Sequence, residues 1–223
     1  MKKRYLRTAL LFLGMAGIVA YSLFPKEKNV ECLEKDSMDF YPYGDSANGA
    51  AFMEMEPFAF KCILSNENGN CGIGFSFAEN WNLMDSLVLE IQSSPDFKEL
   101  VVQILTFDPD YTERSDRSTM KPFIKELKLS PGNKRYSIPM EHFYVPDYWF
   151  VQQSAKNSHN AKRFYAITGM DIFSAWKNPA NTELELKINS VCAVGGSNTP
   201  FVILIIYIGI LIAIAISVRV RSH

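Results

Sequence analysis

Two apolar segments without a charged side chain, residues 8–24 and 201–218, stand close to the two ends of the chain. At about 1.5 Å of rise per residue, helices of these lengths reach roughly 25–27 Å, the short end of what a bilayer core requires. Their outer flanks carry the basic residues Lys2, Lys3, Arg4, Arg7, Arg219 and Arg221. Because positive flanks stay in the cytoplasm, the sequence predicts two transmembrane helices with cytoplasmic ends at 1–7 and 219–223. Residues 25–199 then form a periplasmic domain at the bacterial inner membrane.

A cleaved signal peptide is the alternative for the first segment, since a basic start followed by an apolar run describes both. Ala20 preceded by Ile18 matches the small-x-small cleavage rule poorly, and the apolar run is longer than a usual signal core. We therefore expect an uncleaved anchor. Either alternative places the middle domain across the membrane.

The charge of the middle domain limits its partners. All 24 acidic residues fall within it, whereas six of the 23 basic residues lie in the two flanks, so the domain carries about seven net negative charges. Such a surface repels phosphate backbones. The sequence predicts no nucleic-acid partner.

Four cysteines lie in the predicted periplasmic part, where disulfides persist. Cys62 and Cys71 flank a turn-rich stretch at 65–70 that would return two antiparallel strands side by side, which predicts a bond between them. The remaining pair, Cys32 and Cys192, would tie the first strand to the last. Four reduced thiols are the alternative. The spacing does not resemble that of a zinc site.

Alternation of apolar and polar residues dominates the middle domain. In 182–190 the side chains of Leu184, Leu186 and Ile188 share one face, which predicts a half-buried strand. Similar reasoning gives nine strands, at 52–55, 58–64, 72–77, 85–92, 99–107, 123–129, 134–138, 164–173 and 182–190. Turn signals between them and the near absence of helical periodicity predict an all-β antiparallel sandwich or jelly roll, with one short helical turn within 139–151. Two polar stretches, 108–121 and 157–163, are predicted as exposed loops.

The second half of the domain carries a recognisable pattern. Lys-Arg-Tyr-Ser-Ile-Pro-Met-Glu-His-Phe begins at Lys134, Pro-Asp-Tyr-Trp follows at 146–149, Ile-Thr-Gly-Met-Asp-Ile at 167–172, and an alternating strand closes at 185–191. This order resembles the last part of galactose-binding-like jelly rolls, the fold of several carbohydrate-binding modules and of extracytoplasmic sensor domains of bacterial membrane receptors. The likeness covers roughly 52–194. It contains no catalytic signature and therefore implies a fold more than an activity.

The resemblance implies a set of sugar contacts. Modules of this kind stack aromatic rings on pyranose faces and bond hydroxyl groups with carboxylates and amides. The candidate ligand-binding residues are Trp81, Asp147, Tyr148, Trp149, Gln152 and Trp176. The alternative is that the large rings fill the sandwich core.

Enzymatic and metal chemistry finds little support in the sequence. Three histidines offer no defensible Ser/His/Asp set, and scattered carboxylates do not define a glycosidase. Asp108 and Asp110 provide two carboxylates, whereas calcium takes six to eight oxygen ligands, so we expect a solvated turn and no cofactor, with a structural calcium as the alternative. The chain is predicted not to be an enzyme.

In the second apolar segment Gly209, Ala213 and Ser217 recur every four residues and form a stripe along which another helix could approach closely. The partner would be the first helix or a second copy. Only five residues follow this segment, so the sequence predicts a sensor-like, glycan-binding domain without its own output domain, whose signal would pass to a membrane partner. The alternative is a structural or assembly protein that docks another envelope protein.

Overall fold

The computed structural model describes residues 14, 28–34, 38–44, 50–56, 58–66, 69–155, 164–175, 178–196 and 208–209. The chain divides into two units. One comprises Val30–Gly195 and contains the core and nearly all of both sheets. The other comprises Met1–Asn29 and Gly196–His223, where Gly14, Ile208 and Gly209 are helical.

The described residues form eleven strands and one short α-helix. The strands are β1 Lys28–Cys32, β2 Asp39–Gly44, β3 Ala50–Glu56, β4 Ala59–Leu64, β5 Cys71–Glu79, β6 Met84–Ser93, β7 Glu99–Thr106, β8 Lys121–Lys128, β9 Gly132–Pro139, β10 Ile167–Ser174 and β11 Glu183–Gly196. Helix α1 is Asp147–Gln152, and 3₁₀ turns occur at Arg117–Thr119 and Met140–His142. All nine predicted strands are present, and the helical turn lies where it was expected. The strands β1 and β2 were not predicted.

The strands pair into two sheets that face each other across one core. One sheet has the order β3-β4-β11-β6-β9, with β1 beside β11, and the other has the order β2-β5-β10-β7-β8. Every neighbouring pair within these two orders is antiparallel. The predicted all-β sandwich is thereby confirmed.

The core takes the inward residues of both sheets. Leu184, Leu186 and Ile188 of β11 are buried as the alternation predicted, and they meet Ile73 and Ile172 of the other sheet in the same cluster. Burial of such side chains is the main stabilising contribution in a sandwich.

Both predicted disulfides are present, Cys62–Cys71 and Cys32–Cys192. The expectation that Cys62 and Cys71 would join two paired strands is wrong, because β4 and β5 belong to different sheets. Their bond instead crosses the sandwich, where both cysteines are fully buried. The second bond joins the end of β1 to β11.

The predicted membrane spans lie outside the described residues, apart from Gly14, Ile208 and Gly209. Among the residues that the structure describes, no helix has the length and apolar character needed to cross a bilayer. The two spans therefore stay predictions. The same holds for the helix-packing stripe, since Ala213 and Ser217 also lie outside the described residues.

Candidate functional site

One face of the five-stranded sheet points away from the main core. Strand register places Tyr41, Gly74, Asp171, Gln103 and Ile124 in one row across all five strands. The next row on this face is Tyr43, Gly72, Phe173, Val101 and Glu126. The intervening residues, such as Ile73 and Ile172, belong to the core. Since side chains alternate between faces, the two rows share the outer face.

Glycines in β5 and β10 make room on this face. A Cβ atom at Gly74 would overlap the ring of Tyr41, so the absence of a side chain lets the tyrosine lie across β5. A Cβ atom at Gly169 would stand 2.8 Å from an Nη atom of Arg117. The glycines therefore let Tyr41 and Arg117 lie close to the sheet and reach β10.

Asp171 of β10 is the centre of a group that we name the Asp171 cluster, comprising Tyr41, Ser76, Gln103, Arg117 and Asp171. Asp171 is 2 % exposed. It accepts hydrogen bonds from the Tyr41 hydroxyl, from Gln103 Nε2 at 2.9 Å and from Arg117 Nη2 at 2.8 Å. Arg117 also donates from Nη1 to Ser76 Oγ at 3.3 Å, and its guanidinium carbon lies 4.6 Å from the centroid of the Tyr41 ring.

The buried position of Asp171 changes its acidity. Burial raises its pKa to about 6, although the positive charge of Arg117 and the hydrogen bond from Gln103 act in the opposite direction. Burial also lowers the pKa of Arg117, against the effect of Asp171. Removal from water therefore outweighs pairing at both groups, and Asp171 changes charge near neutral pH.

A depression of about 360 Å³ opens above this cluster. Gln103, Arg117 and Asp171 contribute to its floor. Tyr43 borders it from β2, and its ring stacks on Phe173 with centroids 4.8 Å apart. Tyr148 and Gln152 border it from α1, and Tyr148 is 56 % exposed. Aromatic and hydrogen-bonding groups thus converge on one open site.

The loop that carries Arg117 was predicted to be exposed and is partly buried. Lys121 Nζ lies 3.3 Å from Asp108 Oδ2 where the loop joins β8, and both side chains are largely shielded from water. Trp149 Nε1 donates to the carbonyl oxygen of Thr119 at 3.1 Å. These contacts fix the loop against the sheet. The second predicted loop, 157–163, lies outside the described residues.

The predicted ligand residues fall into different places. Tyr148 and Gln152 are exposed and line the depression, whereas Asp147 is exposed on α1 but does not line it. Trp149 touches the depression but is only 1 % exposed, so its ring belongs to the core. Trp81 is fully buried and packs on Phe77, with centroids 5.6 Å apart, which leaves no ring face for a sugar.

Trp176 lies outside the described residues, so its role stays a prediction. Sequence reasoning did not select the residues that form most of the site, namely Tyr41, Tyr43, Gln103, Arg117 and Asp171. A signal was available for Asp171, since it is the one charged residue of strand β10.

Within the described ranges, no group of three or more His, Cys, Asp or Glu residues is arranged to hold a metal ion. The carboxylate of Asp108, considered for calcium, contacts Lys121 and accepts from the backbone N–H of Asp110 at 3.3 Å.

No protein-family model matches the sequence, and no curated protein is detectably similar to it. Solved structures do resemble the fold. A family 11 carbohydrate-binding module from Clostridium thermocellum, in complex with a β-1,3-1,4-mixed-linked tetrasaccharide, matches with a TM-score of 0.50 and 12 % identity, over 74 % of this chain and 95 % of that chain. A family 30 module matches with a TM-score of 0.48 and 6 % identity, over 76 % and 99 %. At these identities the likeness establishes the fold alone: this chain contains a jelly-roll β-sandwich of the carbohydrate-binding-module type.

Proposed function

We propose that this protein binds a neutral glycan, without catalysis, in the depression above the Asp171 cluster. The observation that carries the proposal is the convergence of an exposed aromatic ring, Tyr148, with amide and guanidinium donors on one face of the sandwich. Flat rings that pack on the apolar face of a pyranose, beside groups that bond its hydroxyls, are what sugar recognition requires. The fold that it shares with carbohydrate-binding modules also supports glycan binding.

The charge of the site favours a neutral ligand. The one cation on the floor of the depression, among the described residues, is Arg117, and Asp171 balances it at 2.8 Å. The surrounding domain is acidic, by the charge distribution of the sequence. A polyuronate would therefore meet net repulsion, whereas the hydroxyls of a neutral glycan find donors and acceptors.

Calorimetric titration of the full chain, in a detergent without a sugar headgroup, tests the proposal. The panel contains mixed-linkage β-glucan, xylan and galactan oligosaccharides, with oligogalacturonate as the acidic comparison. We expect binding to at least one neutral member and none to the acidic one. The absence of binding to every neutral oligosaccharide would contradict the proposal.

Substitutions on α1 locate the binding surface. We expect Tyr148→Ala to weaken binding about tenfold or more, because truncation of an anchoring aromatic side chain at a binding surface costs about 2 kcal/mol. Val151→Ala is the matched control, since Val151 is 80 % exposed on the same helix and does not line the depression. An equal loss of affinity in both variants, or an unchanged affinity in Tyr148→Ala, would show that glycan does not bind at Tyr148.

We also propose that the sandwich is held outside the inner membrane by helices at 8–24 and 201–218, with both termini in the cytoplasm. Two disulfides support an oxidising compartment, and the basic flanks support the orientation. Glycan binding would then bias the packing of the two helices for a membrane partner to read.

Protease protection tests this topology. Protease added to intact spheroplasts should digest the sandwich, and inverted vesicles should protect it. The reverse pattern would contradict the membrane arrangement without affecting the glycan proposal.

A further inference from the structure

Asp171 gathers donors from three separate parts of the chain. Tyr41 comes from the edge strand β2, Gln103 from the adjacent strand β7, and Arg117 from the loop before β8. None of these three is within 50 residues of Asp171, so the contacts are tertiary. A single buried carboxylate therefore ties β2, β7 and the loop before β8 to β10.

We propose that Asp171 is a positioning residue, whose anionic carboxylate fixes Arg117 and Tyr41 in the geometry that binds glycan and whose protonation loosens that geometry. The inference rests on the proposed function for its binding readout. It assigns Asp171 no contact with the ligand. Its effect passes through Arg117, which bonds to the carboxylate, lines the depression and retains 34 % side-chain exposure.

Protonation changes the balance of donors and acceptors at this point. As a carboxylate, Asp171 offers only acceptor sites to the three donors that face it. As a carboxylic acid it adds a donor of its own, which the Tyr41 hydroxyl can take only by accepting where it now donates, and it loses the charge that strengthens the bond from Arg117. Arg117 is the donor that depends most on the charge.

The groups around Asp171 leave few other titrating candidates. β2 contributes Tyr41 and, in the neighbouring row, the exposed Asp39. β5, β7 and β8 present Gly74, Gln103 and Ile124 in the same row, which do not titrate, with Glu126 one row away on β8. From α1, Tyr148 has a pKa raised by partial burial and by the charge of Asp171. The raised pKa of about 6 places the change of charge of Asp171 just below neutral pH.

The experiment measures glycan affinity from about pH 5 to about pH 8 on the full chain, with whichever neutral oligosaccharide of the panel binds. We expect the affinity of the parent to fall about tenfold toward the acidic end, as for the loss of one charge-assisted hydrogen bond. Asp171→Asn should bind glycan weakly at every pH, with no pH dependence. Asp171→Glu should recover part of the affinity and part of its pH dependence. Asp85→Asn is the control, because Asp85 is an exposed carboxylate in β6 of the opposite, six-stranded sheet, and it should keep the parental profile.

A measurement without glycan separates this proposal from the proposed function. Carbon-13 NMR of the aspartate carboxyl groups, together with the guanidinium protons of Arg117, follows the cluster in the parent chain. We expect Asp171 to titrate near pH 6 and the Arg117 signals to shift with the same midpoint. Failure of every oligosaccharide to bind while these signals move together would overturn only the glycan proposal. An Arg117 signal that ignores the titration, or an Asp171→Asn variant with parental affinity and pH profile, would overturn the positioning role.

Discussion

Asp171 shows how burial and pairing compete at a single side chain. Three donors, one of them a cation, face its carboxylate, and such neighbours ordinarily lower a pKa. The pKa is nevertheless raised to about 6, because almost no water reaches the group. Ionisation of Asp171 in the folded protein is therefore unfavourable for stability.

This raised pKa has a measurable effect on stability. A carboxyl whose folded pKa exceeds its unfolded value of 3.8 stabilises the fold fully below pH 3.8 and loses that contribution as pH rises through about 6. We expect the contribution to reach about 3 kcal/mol at its largest, from the difference between the two values. Urea unfolding at several pH values, compared between the parent and Asp171→Asn, isolates it from the other carboxylates. Parallel pH profiles in the two proteins would show that Asp171 titrates as in the unfolded chain.

Gly74 allows the Tyr41 ring to lie across β5. We expect Gly74→Ala to lower the free energy of unfolding by about 1–3 kcal/mol, as overpacking does, and to weaken glycan binding because Tyr41 leaves Asp171. Thermal unfolding and calorimetry measure the two effects. In the double variant Gly74→Ala/Tyr41→Ala the added methyl group has no ring to displace, so its cost should shrink relative to the Tyr41→Ala background. An undiminished cost would place the clash elsewhere.

At the scale of elements, the alternating strands were predictable and the strand that carries two site residues was not. β2 reads Asp-Phe-Tyr-Pro-Tyr-Gly, and the proline at Pro42 argues against a strand when only the sequence is considered. The structure places β2 at the edge of its sheet, where a proline is tolerated. Tyr41 and Tyr43 were overlooked with it.

The loop at 108–121 connects β7 and β8 as predicted, but the inward position of Arg117 was not predicted. Its alternating charges are typical of a solvated segment, and Asp110, Glu113 and Asp116 are indeed exposed, whereas Arg117 lines the depression. Which charge of a loop turns toward the sheet depends on tertiary contacts that leave no periodic pattern. Tyr148 and Gln152 were found because the family resemblance marked the segment around them.

Trp149 connects α1 to this loop. We expect Trp149→Phe to lower the free energy of unfolding by about 1 kcal/mol, because it keeps most of the packing and removes the hydrogen bond to Thr119. Trp149→Ala should cost about 3–5 kcal/mol through the cavity it leaves. Urea unfolding of both variants separates the two contributions. If Trp149→Phe proved as stable as the parent, the bond would have no part in fixing the loop.

At the scale of the whole molecule, the disulfides constrain the chain over very different distances. Cys62 and Cys71 are 9 residues apart, and Cys32 and Cys192 are 160 apart. Loop entropy predicts upper limits of about 2.7 and about 5 kcal/mol for the two bonds. We therefore expect Cys32→Ala/Cys192→Ala to destabilise the protein more than Cys62→Ala/Cys71→Ala in urea unfolding. A larger loss of stability in Cys62→Ala/Cys71→Ala would mean that the buried position of the Cys62–Cys71 bond contributes more than the length of the loop that a disulfide closes.

The architecture as a whole followed from the sequence more readily than the site did. The alternation of apolar and polar residues in β11 and the spacing of turns are local properties, and they sufficed to predict a jelly roll. The Asp171 cluster joins residues up to 130 positions apart, which no local pattern encodes.

Pro42 lies in the edge strand β2 between Tyr41, which bonds to Asp171, and Tyr43, which borders the depression. The edge strand of a sheet can pair with a strand from another molecule. Pro42 has no backbone N–H, so it interrupts the ladder of hydrogen bonds that such pairing requires. At high concentration, copies of this protein are therefore protected from edge-to-edge aggregation through β2.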